Sequence, residues 1–257
     1  MGKIISIVNQ KGGVGKTTTA VNLAAGIGLA GKKVLLVDAD PQGNSTSGYG
    51  IAKKSGTIST YELLIGKAKA DGAICTTAFQ NVSVIPSSMD LAAAEIDLIE
   101  SDHRQAQMKK ALAPVRERYD YILIDCPPSL GLVTINALAA SDTVLVPLQC
   151  EYYALEGLSQ LMASVRQVKR LYNPTLEIEG IVLTMFDGRL NLTQQVVGEI
   201  KKYFATKLYK TTIPRAVRLS EAPSYGMPIQ YYDKRSKGSE AYNELAKELL
   251  KRNRRGI

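Results

Sequence analysis

Histidine and cysteine are scarce: one histidine, His103, and three cysteines, Cys75, Cys126 and Cys150, stand in 257 residues. The cysteines are widely spaced, odd in number and form no Cys-x-x-Cys pair. That argues against a structural zinc site and for free thiols in a reducing, cytoplasmic setting. No stretch approaches the roughly 20 apolar residues that a membrane-spanning helix needs. An apolar run begins almost at once, so no signal peptide is expected, and there is no internal repeat and no Pro- or Ser-rich linker. A chain of 257 residues without these features is expected to form one domain over 1–257.

Acidic residues are lacking in one region only. The net charge is +8, and residues 160–257 hold 18 Lys and Arg against nine Asp and Glu, whereas residues 1–159 are nearly balanced. A concentrated basic region suits a polyanion, nucleic acid or an acidic membrane surface; a solvated basic surface is the plain alternative.

What is present is a glycine-rich loop. Residues 11–18 read Lys-Gly-Gly-Val-Gly-Lys-Thr-Thr. The pattern GxxxxGK[ST] is met at Gly15, Lys16 and Thr17 and fails at its first position, where Gln10 replaces glycine. The β-branched run at 3–9 precedes the loop as a buried strand, and a helical pattern follows from Thr17. Gly12, Gly13 and Gly15 let the backbone around Val14 turn its N–H groups inward, and the helix dipole adds to their pull on a phosphate. Lys16 suits the β- and γ-phosphates of ATP, Thr17 the Mg²⁺ position and Thr18 the α-phosphate. Lys11 is a second lysine with no obvious place on the same nucleotide, and it could reach a nucleotide held by another copy of the chain.

Apolar runs and amphipathic stretches alternate. Strands are expected at Val34–Asp38, 82–86, Tyr121–Asp125, 143–147, 178–185 and 210–213. Helices are expected at 89–99, 104–118, 130–139, 155–171, 192–204 and 240–251. This pattern predicts an α/β, doubly wound, mostly parallel sheet with helices on both faces. Ligands in such sheets lie at the carboxyl ends of the strands, where the loop and the acids Asp38, Asp40 and Asp125 fall. Asp125 suits a Mg²⁺-bound water, although a strand-end aspartate can also simply cap the next turn. Asp40 is the candidate for orienting or deprotonating an attacking water, and Asp38 for the surroundings of Mg²⁺.

The segments Lys-Gly-Gly-Val-Gly-Lys-Thr-Thr, Leu-Leu-Val-Asp-Ala-Asp-Pro-Gln-Gly-Asn and Ile-Asp-Cys-Pro-Pro-Ser-Leu-Gly resemble the deviant Walker A ATPases. Gln149 to Gly157 and Ile213 to Pro223 are similar to the chromosomal ParA/Soj partition proteins, and the resemblance runs nearly end to end. It implies an ATP-held homodimer with two nucleotides at its interface, Lys11 crossing to the partner's phosphates, and slow hydrolysis stimulated by a ParB-type partner. It also implies that Met185 and Pro214 belong to an adenine pocket, although each could be a packing residue. Glu151 could meet the partner's nucleotide or its lysine. Arg189 and Arg218 match DNA-contacting arginines, so non-specific, salt-sensitive DNA binding and a nucleoid-associated location are expected. No helix-turn-helix segment precedes the loop, which argues against operator recognition.

Three rival readings share the loop. A MinD-like membrane ATPase would use 240–251 as an amphipathic anchor ending in Lys-Arg-Asn-Arg-Arg-Gly-Ile. The apolar face of that helix is small enough to be packed inside instead, so no stable membrane association is expected. A redox ATPase resembling nitrogenase iron protein needs cluster-binding cysteines that are not suitably placed. A metabolic kinase needs an acceptor-binding insertion that is not evident.

Overall fold

The computed structural model describes residues 2–53 and 56–254. Seven strands build one sheet: β1 (Lys3–Ile7), β2 (Val34–Asp38), β3 (Cys75–Thr76), β4 (Val82–Ile85), β5 (Tyr121–Asp125), β6 (Thr143–Gln149) and β7 (Glu177–Thr184). Their spatial order is β3-β4-β2-β5-β1-β6-β7. Every pairing is parallel except β3 with β4. This is the doubly wound, mostly parallel sheet that the apolar runs predict.

Both faces are covered, and the strands show why. In β5, Ile122 and Ile124 point to one face, beside Leu35, Val37, Met108, Leu112 and Leu158. Tyr121 and Leu123 point to the other, beside Ile5, Ile7, Leu36, Leu23, Tyr242 and Leu245. All five residues of β5 are buried. Each such Ile or Leu contributes about 1.5–3 kcal/mol by leaving water.

The register places the chemistry at one end. Ile7 of β1 and Asp38 of β2 both stand opposite Asp125 of β5. The segments that leave these three strands therefore converge at the carboxyl edge of the sheet centre.

Three expectations are corrected, and one element is added. No strand forms at 210–213; this segment runs beside β7 with broken pairing, because the backbone N–H groups of Lys210 and Thr211 donate to Glu248 instead. The helix expected at 89–99 is a 3₁₀ turn, Met89–Ala93, followed by one α-turn, Ala94–Asp97. The helix expected at 104–118 is only Gln107–Leu112, continued as a 3₁₀ segment Ala113–Arg118 with Pro114 in its first turn. The two-residue β3 was not foreseen at all.

The helix at the C-terminus, Lys237–Arg254, buries Tyr242, Leu245, Ala246 and Leu249 against the phosphate-loop helix Lys16–Leu29. The last three residues of the basic terminal stretch, 255–257, lie outside the described residues. Among the described residues no helix is long and apolar enough to cross a membrane.

Candidate functional site

β1 is followed by a buried Val8 and Asn9, and the Asn9 side chain anchors the loop at both ends of its amide. Its Oδ1 accepts from the Lys11 N–H at 3.0 Å, and its Nδ2 donates to the Pro147 carbonyl of β6 at 2.8 Å. Further along, the Thr184 hydroxyl donates to the Val14 carbonyl at 2.8 Å. The loop is thus tied to the ends of β6 and β7 through side chains.

Gly15 caps the Lys16–Leu29 helix with a left-handed φ of 83°, and no side chain occupies the helix's first free N–H groups. A Cβ added to Gly12 or Gly13 would meet nothing within 4 Å, so open space lies over these amides. Free N–H groups and the helix dipole facing open space favour an anion. Lys16 is 7% exposed, and its Nζ folds back to donate to the Lys11 carbonyl at 3.0 Å. Burial lowers its pKa, while the charges of Asp125 and Asp40 pull the other way. Thr17 and Thr18 are half-buried at the start of the helix.

The acids divide the work. Asp38 is fully buried; its Oδ2 accepts from both the N–H and the hydroxyl of Thr46 at 2.7 Å, and its Oδ1 from the Asp40 N–H at 3.2 Å. Burial pushes its pKa up to about 6 against those hydrogen bonds. Asp125 accepts from the Ser45 hydroxyl at 2.8 Å through Oδ2, while its buried Oδ1 has no partner among the described residues. Its pKa rises to about 7, through burial first and the Asp38 charge second; hydrogen bonds from Ser45 and Thr17 oppose the rise. Asp40 is 8% exposed and accepts from the Gln42 N–H at 2.9 Å.

A cavity of about 470 Å³ opens beside the loop, with Gly13, Gly15 and Thr18 on one side and Met185 and Pro214 on the other. Met185 holds a left-handed φ of 47°, a strained backbone for a residue with a side chain. Lys11 and Glu151 form an ion pair at the exposed rim, with side chains 42% and 43% exposed.

The fold therefore brings together Lys11 to Thr18, Asp38, Asp40, Asp125, Glu151, Met185 and Pro214. Arg189 and Arg218 lie apart from the loop. Arg189 follows β7, its side chain is 90% exposed, and it pairs with Asp187 at 2.6 Å. Arg218 sits in the short helix Val217–Glu221, and it pairs with Glu221 at 2.8 Å. Sequence reasoning missed Asn9, Ser45, Thr46 and Thr184. The only hint was a Ser-Thr pair directly after the turn at Pro41 and Gly43.

Fold and loop define a phosphate-loop protein. The AAA domain family pattern matches residues 2–178. The chain is 59% identical over 249 residues to the sporulation initiation inhibitor protein Soj of Bacillus subtilis (strain 168), covering 97% of this chain and 98% of that one. It is 53% identical to the chromosome partitioning protein ParA of Myxococcus xanthus (strain DK1622), covering 98% and 89%. Among solved structures, a Mycobacterium smegmatis protein described as cobyrinic acid a,c-diamide synthase, with bound ATP analogue and magnesium, superposes with a TM-score of 0.86. It is 34% identical and covers 100% of this chain and 98% of that one. The septum site-determining protein MinD of Pyrococcus horikoshii, complexed with Mg-ADP, gives a TM-score of 0.80 at 29% identity over 97% and 96%. The chain belongs to the AAA domain family and, within it, to the Soj and ParA chromosome-partitioning proteins.

Proposed function

We propose that the chain is an ATP-hydrolysing switch for chromosome or plasmid segregation, carried by one domain over 1–257. With ATP it forms a homodimer that binds DNA non-specifically, and a ParB-type partner stimulates its slow hydrolysis. The observation that carries the reading is the pair of lysines at one loop. Lys16 lies inside the anion site, while Lys11 stands at the exposed rim, paired among the described residues with Glu151.

The site fits ATP and Mg²⁺. Gly12 and Gly13 border open space, with Val14 and Gly15 completing the turn, and the buried Asp125 Oδ1 has no partner among the described residues. Among the described residues no cluster of three or more His, Cys, Asp or Glu side chains is built to hold a metal, so phosphate oxygens and water would complete the shell. The metal, when bound, neutralises charge on the β- and γ-phosphates. Thr17 and Asp125 would hold it, with Asp38 adding charge nearby while it braces Thr46. Lys16 neutralises the terminal phosphates and Thr18 meets the α-phosphate. Asp40 orients the attacking water, the step on which phosphoryl transfer chiefly depends. Met185 and Pro214 enclose the base. Lys11 leaves Glu151 to reach the partner's phosphates, and Glu151 is then free to meet the partner's lysine.

Arg189 and Arg218 supply phosphate contacts that carry no sequence information. Pairing two subunits joins two such patches in one footprint, so ATP can switch DNA affinity without moving either patch in its own subunit. The protein would work in the cytoplasm on the nucleoid. A MinD-like membrane role is disfavoured because the apolar face of Lys237–Arg254 is already packed against the phosphate-loop helix.

The test is sizing by light scattering without nucleotide, with ADP and with ATP. Wild type is expected to pair only with ATP, Asp40→Ala to accumulate as the pair, and Lys11→Ala to remain single. An Asp40→Ala variant that stays monomeric when saturated with ATP overturns the reading.

A further inference from the structure

The wall of the cavity opposite the phosphate loop begins at Ile213, and the chain just before it is held from outside. Tyr209 and Ile213 donate their N–H groups to the Ile181 and Leu183 carbonyls of β7, at 2.9 and 2.8 Å. Between these two points the segment makes no further backbone bond to β7. Lys210 and Thr211 turn their N–H groups outward and donate to the two Glu248 carboxylate oxygens, each at 2.9 Å. The Thr211 hydroxyl adds a third bond at 2.8 Å.

Glu248 is itself held by Arg252, which donates at 2.6 Å. The same guanidinium donates to the Leu208 carbonyl at 2.7 Å and lies 3.9 Å above the Tyr209 ring. Two residues one helical turn apart on Lys237–Arg254 thus clasp 208–211 by its backbone. A third residue of that helix, Tyr242, reaches the opposite wall. It lines the cavity, and its hydroxyl lies 3.2 Å from that of Thr19 in the phosphate-loop helix. One rigid rod therefore spans both sides of the cavity.

We propose that Glu248, braced by Arg252, is a positioning residue for the nucleobase: it fixes the segment that presents Ile213 and Pro214, and so sets how well the cavity closes on a base. This rests on the nucleotide reading above. Because Glu248 touches neither loop nor ligand, its removal should weaken the hold on the base and leave the hold on phosphate intact. A carboxylate that merely stabilised the fold would affect both alike.

The experiment compares two ligands by calorimetry with magnesium present: ADP, and inorganic tripolyphosphate, which has no base. Glu248→Ala is expected to weaken ADP about tenfold, the loss of roughly one charged hydrogen-bond set, with tripolyphosphate affinity unchanged. Glu248→Gln keeps one acceptor oxygen and should fall between. Thr211→Val removes one bond only and serves if Glu248→Ala does not fold, since it should shift the ADP-to-tripolyphosphate ratio in the same direction. Equal ADP affinity in wild type and in the Glu248 variants overturns the proposal, as does a parallel loss for both ligands. Failure of wild type to bind ADP is a different result and removes the nucleotide reading itself.

Discussion

At the scale of single residues, the site depends on where a few polar atoms find partners. Lys16 is buried among the loop amides, and that burial makes its ammonium group costly to keep, a cost that the nearby Asp125 and Asp40 offset only in part. Lys16→Ala is expected to abolish nucleotide binding, measured by equilibrium titration, while the melting temperature without nucleotide stays the same or rises. Retained tight ATP binding would show that the loop has another purpose. Lys11, Lys16, Asp40 and Asp125 were legible because their neighbours in sequence announce them: glycines before a lysine, and an apolar strand before an acid. Asn9, Ser45, Thr46 and Thr184 were not legible. Each acts on a group that only the fold brings near, as when Ser45 donates to Asp125, 80 positions away.

At the scale of elements, continuous apolar runs bounded by polar residues made β1, β2, β4, β5, β6 and β7 readable. β3 has two residues and no periodicity to detect. The 210–213 segment has strand-like side chains, yet a distant carboxylate takes the hydrogen bonds that would have made it a strand. That competition has a pH signature. Burial raises the Glu248 pKa, but the hydrogen bonds from Lys210, Thr211 and Arg252 outweigh it, and the net value lies below the ordinary 4.5. A depressed carboxylate pKa lends stability that is complete above the unfolded value and disappears as pH falls through the folded one. Melting temperatures should therefore drop as pH is lowered past 4.5, and Glu248→Gln should flatten that slope. An identical slope in the variant would remove Glu248 as its source. The close approach needed here also explains Gly180: a Cβ at that point would lie 2.5 Å from the Lys207 carbonyl and from the Tyr209 ring.

At the scale of the whole molecule, the basic excess after residue 159 becomes local. Arg189 and Arg218 are exposed but each already leans on an acid of its own subunit, Asp187 and Glu221. Exposed pairs of this kind are screened by solvent and yield readily to a phosphate. Replacing both arginines by glutamate should eliminate DNA binding in a filter or anisotropy assay and leave ATP-driven pairing intact. Unchanged affinity would put the footprint elsewhere. Charge distribution was visible in the sequence, but Asp233 as a second acid facing Arg218 was not, because it reaches that arginine only through the packing of separate elements.

The rim pair of Lys11 and Glu151 has one more implication. A solvated latch of this sort holds an amine out of mischief without gripping it hard. On the proposed reading, each free subunit keeps its own hook folded, releases it at little cost when a neighbour offers phosphate, and recovers it once that phosphate has gone. Separation after turnover then needs no external force, since the returning carboxylate competes for the hook on its home side.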